Sequence, residues 1–136
     1  MKDAVLAVIT TLKADTAVSA VVGTRIYKAD DIPATPQKPF IAVGWVTRVP
    51  EPPTSSSTYA VGRIQCVSFE TSGTRAATLS DLIGDALAPD RILNTLVSGV
   101  VIVDIDDMGS IPYSSDGKTT GTFRDNHDFM ITYRLR

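Results

Sequence analysis

One stretch limits the possible folds more than any other. Residues 74–88 read TRAATLSDLIGDALA, with apolar side chains at Ala76, Leu79, Leu82, Ile83, Ala86 and Leu87. Spacings of three, four and seven bring these onto one side of an α-helix. Thr74 is placed to cap the first turn, and Pro89 keeps the helix from running much past Ala88. Sequence rich in β-formers lies on both sides of it. The helix is therefore a crossover between strands, and a sheet must cover its apolar stripe.

The remaining elements follow in chain order. The N-terminus reads as helical over residues 3–22, with Val5, Val8, Ile9 and Leu12 sharing a face. Gly23 stands where a left-handed C-cap is wanted. Arg25-Ile26-Tyr27 is long enough only for a small edge strand. The connector 28–39 holds three prolines and no periodic pattern. Strands are expected at about 40–49, 59–70, 99–107 and 122–135. A hairpin loop at 50–58 joins the first two, a short helical turn follows at 90–96, and a long polar loop at 108–121 joins the last two. The expected fold is α+β in the order α-β-β-α-β-β, a four-stranded, mainly antiparallel sheet with two helices on one face. One helix carries the chain between the second and third strands, so these two run the same way. If the fourth strand inserts beside the second, the order is 1-2-4-3; if the third sits there, it is 1-2-3-4 with a right-handed crossover. The commoner antiparallel pairing favours the first.

The expected core sets Leu79, Leu82, Ile83 and Leu87 against Val61, Val67, Phe69, Ile102, Ile131 or Tyr133, or against their opposite-parity neighbours on the sheet. A chain of 136 residues makes one domain, 1–136, with no composition break to divide it. A net charge of −2 gives no general electrostatic hold on nucleic acid. The single cysteine, Cys66, rules out an internal disulfide and a cysteine-based zinc site. No apolar run reaches the roughly 18 residues that span a bilayer. Asp3 and the lack of a sustained apolar segment argue against a secretion signal at the start of the sequence.

Several motifs imitate chemistry without completing it. Gly117-Lys118-Thr119 ends like a phosphate-binding loop, but Pro112 occupies the position of the first glycine and a strand, not a helix, follows. A turn on Asp116-Gly117 is the better reading. Asp104, Asp106 and Gly109 match three positions of a calcium loop, yet Met108 and Ser115 stand where oxygen ligands are required. His127, the lone histidine, has Asp125 two residues away on its strand face and Asp128 beside it. Its only thiol partner is Cys66, which shares a face with Ala60 and Ile64 and reads as a buried hydrophobe. Arg124, Arg134 and Arg136 form a basic stripe without interleaved aromatics, suited to pairing with carboxylates. The expected catalytic, cofactor-binding and metal sites are accordingly none, and no cofactor is implied.

Taken in order, these features resemble the tail-terminator or tail-completion family of long-tailed bacteriophages. The likeness lies in a short N-terminal helix followed by Asp15-Thr16-Ala17, then Val22-Gly23-Thr24-Arg25-Ile26-Tyr27. A proline-rich connector leads into Pro39-Phe40-Ile41-Ala42-Val43, an Ala/Leu-rich helix lies between hairpins, and the last strand ends in Tyr133-Arg134-Leu135. The resemblance implies a virion protein, not an enzyme, made in the host cytoplasm and placed at the head-proximal end of the tail. It implies a ring of identical subunits, commonly a homohexamer, that ends tail-tube polymerisation and offers the tail-side surface for joining to the head. The implied partners are further copies of itself, the tail-tube protein and a head connector or stopper protein. DNA passes without specific binding, and no membrane is involved. Alternatives are another neck or head-closure connector, or a small-ligand or RNA-binding α+β module with Trp45 and Tyr59 on the open sheet face. Candidate partner contacts lie in the two hairpin loops: Pro50, Pro53, Ser56, Ile111, Tyr113, Asp116 and Lys118. Asp104, Asp106 and Asp107 are candidates for an acidic channel lining that keeps DNA from sticking.

Overall fold

The computed structural model describes residues 4–48, 59–94, 96–113 and 121–135. Helix α1 (Ala4–Ala14) buries Val5, Val8, Ile9 and Leu12 as the periodicity requires. Its axis and that of α2 (Thr16–Val22) are bent by 88° at Asp15. That residue caps α2 by accepting from the Val18 N–H at 3.0 Å, and its other oxygen takes Arg91 Nη1 at 2.7 Å. Gly23 ends α2 with a φ of +61°, but its ψ of −126° is not that of a left-handed helical cap.

A six-stranded sheet follows rather than a four-stranded one. Its strands are β1 (Ile26–Lys28), β2 (Phe40–Arg48), β3 (Tyr59–Glu70), β4 (Leu96–Val97), β5 (Val100–Tyr113) and β6 (Phe123–Leu135), in the order β1-β2-β3-β6-β5-β4. The four long strands thus adopt the 1-2-4-3 arrangement. The two short ones are added at its borders, β1 parallel to β2 and β4 antiparallel to β5. Every other pairing is antiparallel. Among the described residues, four helices rather than two accompany the sheet: α1, α2, α3 (Gly73–Ala86) and the single turn α4 (Pro89–Ile92). Ser72, not Thr74, caps α3, accepting from the Arg75 N–H at 3.1 Å. Pro89 opens α4, where its missing N–H costs nothing.

The central helix covers the sheet through the opposite parity of β3 to the one preferred from sequence. Ala60, Ile64 and Cys66 are buried beneath the helices, while Val61 is 37% exposed on the other face. The partner strand explains this choice. Cross-strand neighbours point the same way, and β3 sets Ala60, Gly62 and Ile64 opposite Tyr133, Ile131 and Phe129 of β6. Small side chains on one strand make room for large ones on the next, so the bulkier Val61, Val67 and Phe69 are turned outward. Gly62 also lies under the Trp45 indole, leaving no space for a Cβ. Strand β2 is buried on both faces over Phe40–Val43; Phe40 stacks on Phe69 with ring centroids 4.4 Å apart.

A second correction concerns the stretch expected to be a loop at 108–121. Residues 108–113 continue β5, paired with β6 as far as Tyr113 opposite Arg124. Met108, Gly109 and Pro112 read as loop residues because a glycine and a proline usually end strands. Here a bulge between Asp107 and Ser110 absorbs the glycine at φ +88°, and Pro112 lies in a strand with one open edge.

Candidate functional site

The constellation richest in chemical groups forms where α3 crosses β5 and β6. Ser80 is the one polar residue within the apolar stripe of α3. Its Oγ lies 3.0 Å from His127 Nδ1, and its carbonyl oxygen lies at the same distance. On the far side of the ring, Nε2 is 2.7 Å from Asp107 Oδ1. A carboxylate can only accept, so Nε2 carries a proton and donates. Nδ1 then accepts from the Ser80 hydroxyl when the ring is neutral, and donates to the Ser80 carbonyl when it is charged. The imidazole stacks on Phe129 at 4.4 Å and faces Gly84, where an added Cβ would stand 3.0 Å from Cε1.

Serine, histidine and aspartate in this sequence imitate a nucleophilic triad, but the setting does not. Ser80 is fully buried under its own helix and His127 is 5% exposed, which leaves no room for a substrate carbonyl beside the hydroxyl. Cys66 lies directly across from His127 on β3 and is also fully buried. Burial, aided by the Asp128 charge, pushes its thiol well above the ordinary range, so it stays protonated and a poor nucleophile. The group is a clamp. Asp107 Oδ1 also accepts from the Gly109 N–H at 2.8 Å, so one carboxylate ties the β5 bulge to the ring that is in turn tied to α3. Among the described residues, no three His, Cys, Asp or Glu side chains are grouped to hold a metal ion. No helix there is long and apolar enough alone to cross a membrane.

The helix-free face of the sheet is the other candidate. Arg63 Nε donates to Asp128 Oδ2 at 2.7 Å and Gln65 Nε2 to Asp128 Oδ1 at 3.0 Å, a network across the β3–β6 pair. Together with Asn126, Met108 and Ile111 it lines a groove of about 260 Å³. Ile111, a sequence candidate, is 69% exposed at the rim, and Tyr59 is 54% exposed toward one end of the same face. Trp45, expected there with Tyr59, packs instead under the helices, 5.9 Å from the Tyr133 ring. Its strand shifts register directly after it, between Trp45 and Thr47.

The three proposed acidic residues do not form one lining. Asp104 and Asp106 pair with Thr132 and Met130 and share the helix-free face. Asp107 falls on the opposite face, against His127. Tyr113 is the last residue of β5. Pro50, Pro53, Ser56, Asp116 and Lys118 lie outside the described residues. The strands flanking both connections are described, and they fix the directions. β3 and β5 both run antiparallel to β6 and therefore parallel to each other. The chain leaves β2 for β3 at the end where β6 finishes, and leaves β5 for β6 at the end where β3 finishes.

A sheet with helices on one face and connections at both ends is compatible with many roles, and the comparison with known proteins narrows them. The family model described as tail completion protein gp17 matches residues 6–109. The chain belongs to that family. It is therefore a structural component of a phage-type virion tail. No curated protein matches it. Among solved structures, a chain of the virion of a native gene transfer agent particle shares the fold. It has a TM-score of 0.71 and 18% identity over 93% of this chain and 91% of that one.

Proposed function

We propose that this tail completion protein is the subunit of a ring that ends tail-tube polymerisation and presents the tail-side surface for joining to the head. The observation that carries the reading is the parallel course of β3 and β5, which sends the two hairpin connections to opposite ends of the sheet. A subunit between a tube below and a connector above needs two different contact surfaces, one at each end. Residues 49–58 serve one axial interface and residues 114–120 the other. The channel of the ring passes DNA, and Asp104 and Asp106 face it from the helix-free side of the sheet. Asp107 is withdrawn from that role by its bond to His127.

The test is a particle whose gene for this chain is deleted. The proposal expects tails that grow overlong or stay separate from heads in electron micrographs. Tails of normal length already joined to heads would rule it out. A monomer in dilute solution would not, because subunit contacts too weak to persist alone are reinforced when the tube binds the assembled form.

A further inference from the structure

We propose that the bare edge of β5 receives an extended segment of a different protein, one that sets a large aliphatic residue beside a basic one. Such a segment pairs with a free edge whether or not the chain closes into a ring, so the ring reading is not needed for it. β5 is 14 residues long, but β4 covers it only at Val100 and Val101. The Asn94 N–H adds one bond to the Ile102 carbonyl at 2.8 Å. From Val103 to Tyr113, no backbone pairing on the side away from β6 exists among the described residues. Asp104 and every residue from Asp106 to Pro112 are exposed. Every second residue of an antiparallel pair turns its N–H and C=O away from the partner, and a border row of such groups is a template for another strand unless it is blunted. Here the blunting is selective. Bulges fall between Ile102 and Asp104 and between Asp107 and Ser110, and Pro112 interrupts the run beyond. What remains regular is Asp104–Asp107, which admits only a short partner.

A pocket beside this stretch sets the chemistry of the partner. It measures about 320 Å³ and is lined by Leu87 and Ala88 just past α3, by Phe129 of β6, and by Ile105, Asp106 and Asp107 of β5. Leu87, Ile105 and Phe129 belong to the core beneath the helices, whereas Asp106 pairs with Met130 and points to the other face. The pocket therefore reaches round the strand edge. A segment laid against β5 turns the residue opposite Ile105 to the helix side, over this pocket. An aliphatic side chain there removes apolar surface from water on both partners. The adjacent residue of the segment falls opposite Asp106 on the helix-free face, where a basic side chain meets a carboxylate. One basic residue against Asp104 and Asp106 leaves that face acidic, as the channel reading requires.

A second copy is a poor source of the segment. Two β5 edges paired antiparallel about Ile105 would set Asp104 of each against Asp106 of the other. Where a described strand of this chain sets an aliphatic residue beside a basic one, that strand is already engaged. Arg63-Ile64 lies in β3, paired on both sides with β2 and β6. Arg134-Leu135 closes β6 against Val101 and Val100. The outer side of β1 is closed as well: the Ile26 N–H donates to the Thr24 carbonyl at 2.8 Å, and the Lys28 carbonyl accepts from the Asp31 N–H at 2.9 Å.

Amide chemical shifts of the full chain, titrated with the capped hexapeptide Ser-Thr-Leu-Lys-Thr-Ser, read the edge directly. Saturable shifts are expected at Ile105, Asp106 and Asp107. Serine in place of the peptide's leucine, or glutamate in place of its lysine, should weaken binding at least tenfold. So should Ala88→Phe, which fills the pocket with the protein's own ring; should that variant fail to fold, the peptide series decides alone. Equal binding of the three peptides, or no saturable shift at millimolar peptide, would overturn the proposal. Shifts of the same amides on raising the concentration of the chain alone would also overturn it, by making a second copy the occupant.

Discussion

The clamp around His127 predicts a hierarchy of stabilities rather than a single loss. Truncation by His127→Ala removes a buried ring packed on Phe129 and Gly84, together with its bonds to Ser80 and Asp107. Large-to-small changes of buried aromatics cost about 3–5 kcal/mol for Phe. Imidazole is smaller and more polar, which brings the packing loss to about 2 kcal/mol on the same scale. The bond to Asp107 adds little, because that carboxylate is 51% exposed and returns to water when the ring is gone. Ser80 keeps a route to the carbonyl four residues back in its own helix. The expected total is about 2–3 kcal/mol of a domain stability of about 5–15 kcal/mol, or a melting temperature lower by roughly 10 °C. Asp107→Asn should cost under about 1 kcal/mol, since the amide oxygen still accepts from Nε2–H and from Gly109. Urea denaturation of the three proteins measures both values. A His127→Ala loss below about 0.5 kcal/mol would refute the clamp. Equal losses for the two variants would show that the carboxylate charge, not the packed ring, holds β5 to α3.

Other outcomes follow from individual contacts. Ile83→Asp places a charge where the side chain is fully buried beneath the sheet and should leave little folded protein; native circular dichroism with an unchanged melting temperature would show that α3 does not cover the sheet. Gly62→Val drives a branched side chain into the Trp45 ring and should lower the melting temperature with altered tryptophan fluorescence, whereas Gly73→Ala, with open space at its Cβ, should not. The Cys66 thiol is held protonated in the folded state, so the unfolded chain loses its proton first as pH rises; stability should fall above about pH 8.5, and Cys66→Ala should flatten that limb. Replacing residues 114–120 by a two-residue turn should leave thermal stability nearly unchanged, because loop closure costs little, and should block assembly at one end of the ring only.

What the sequence disclosed depended on whether a feature was local. The stripe of α3 and the alternation of β6 are short-range patterns, and both elements appear where the periodicity puts them. The 1-2-4-3 order of the long strands was also within reach, because a single crossover helix and a preference for antiparallel pairs leave few choices. The buried parity of β3 was not. Both of its faces carry apolar residues, and the decision rests on volumes across the β3–β6 pair, which no single strand reveals. The extension of β5 to Tyr113 was hidden for a related reason, since Gly109 and Pro112 argue locally for a loop and only the partner strand overrides them. The clamp joins positions 47 and 20 residues apart in sequence. One signal for it was present, a serine inside an otherwise apolar helical stripe.

The most direct measurement of the ring reading is a density map of the assembled particle at side-chain resolution. It should show copies of this chain closed into a ring at the head-proximal end of the tail tube, with the 49–58 end of each sheet on one axial side and the 114–120 end on the other. A map with both connections on the same axial side, or with this chain elsewhere in the virion, would contradict it.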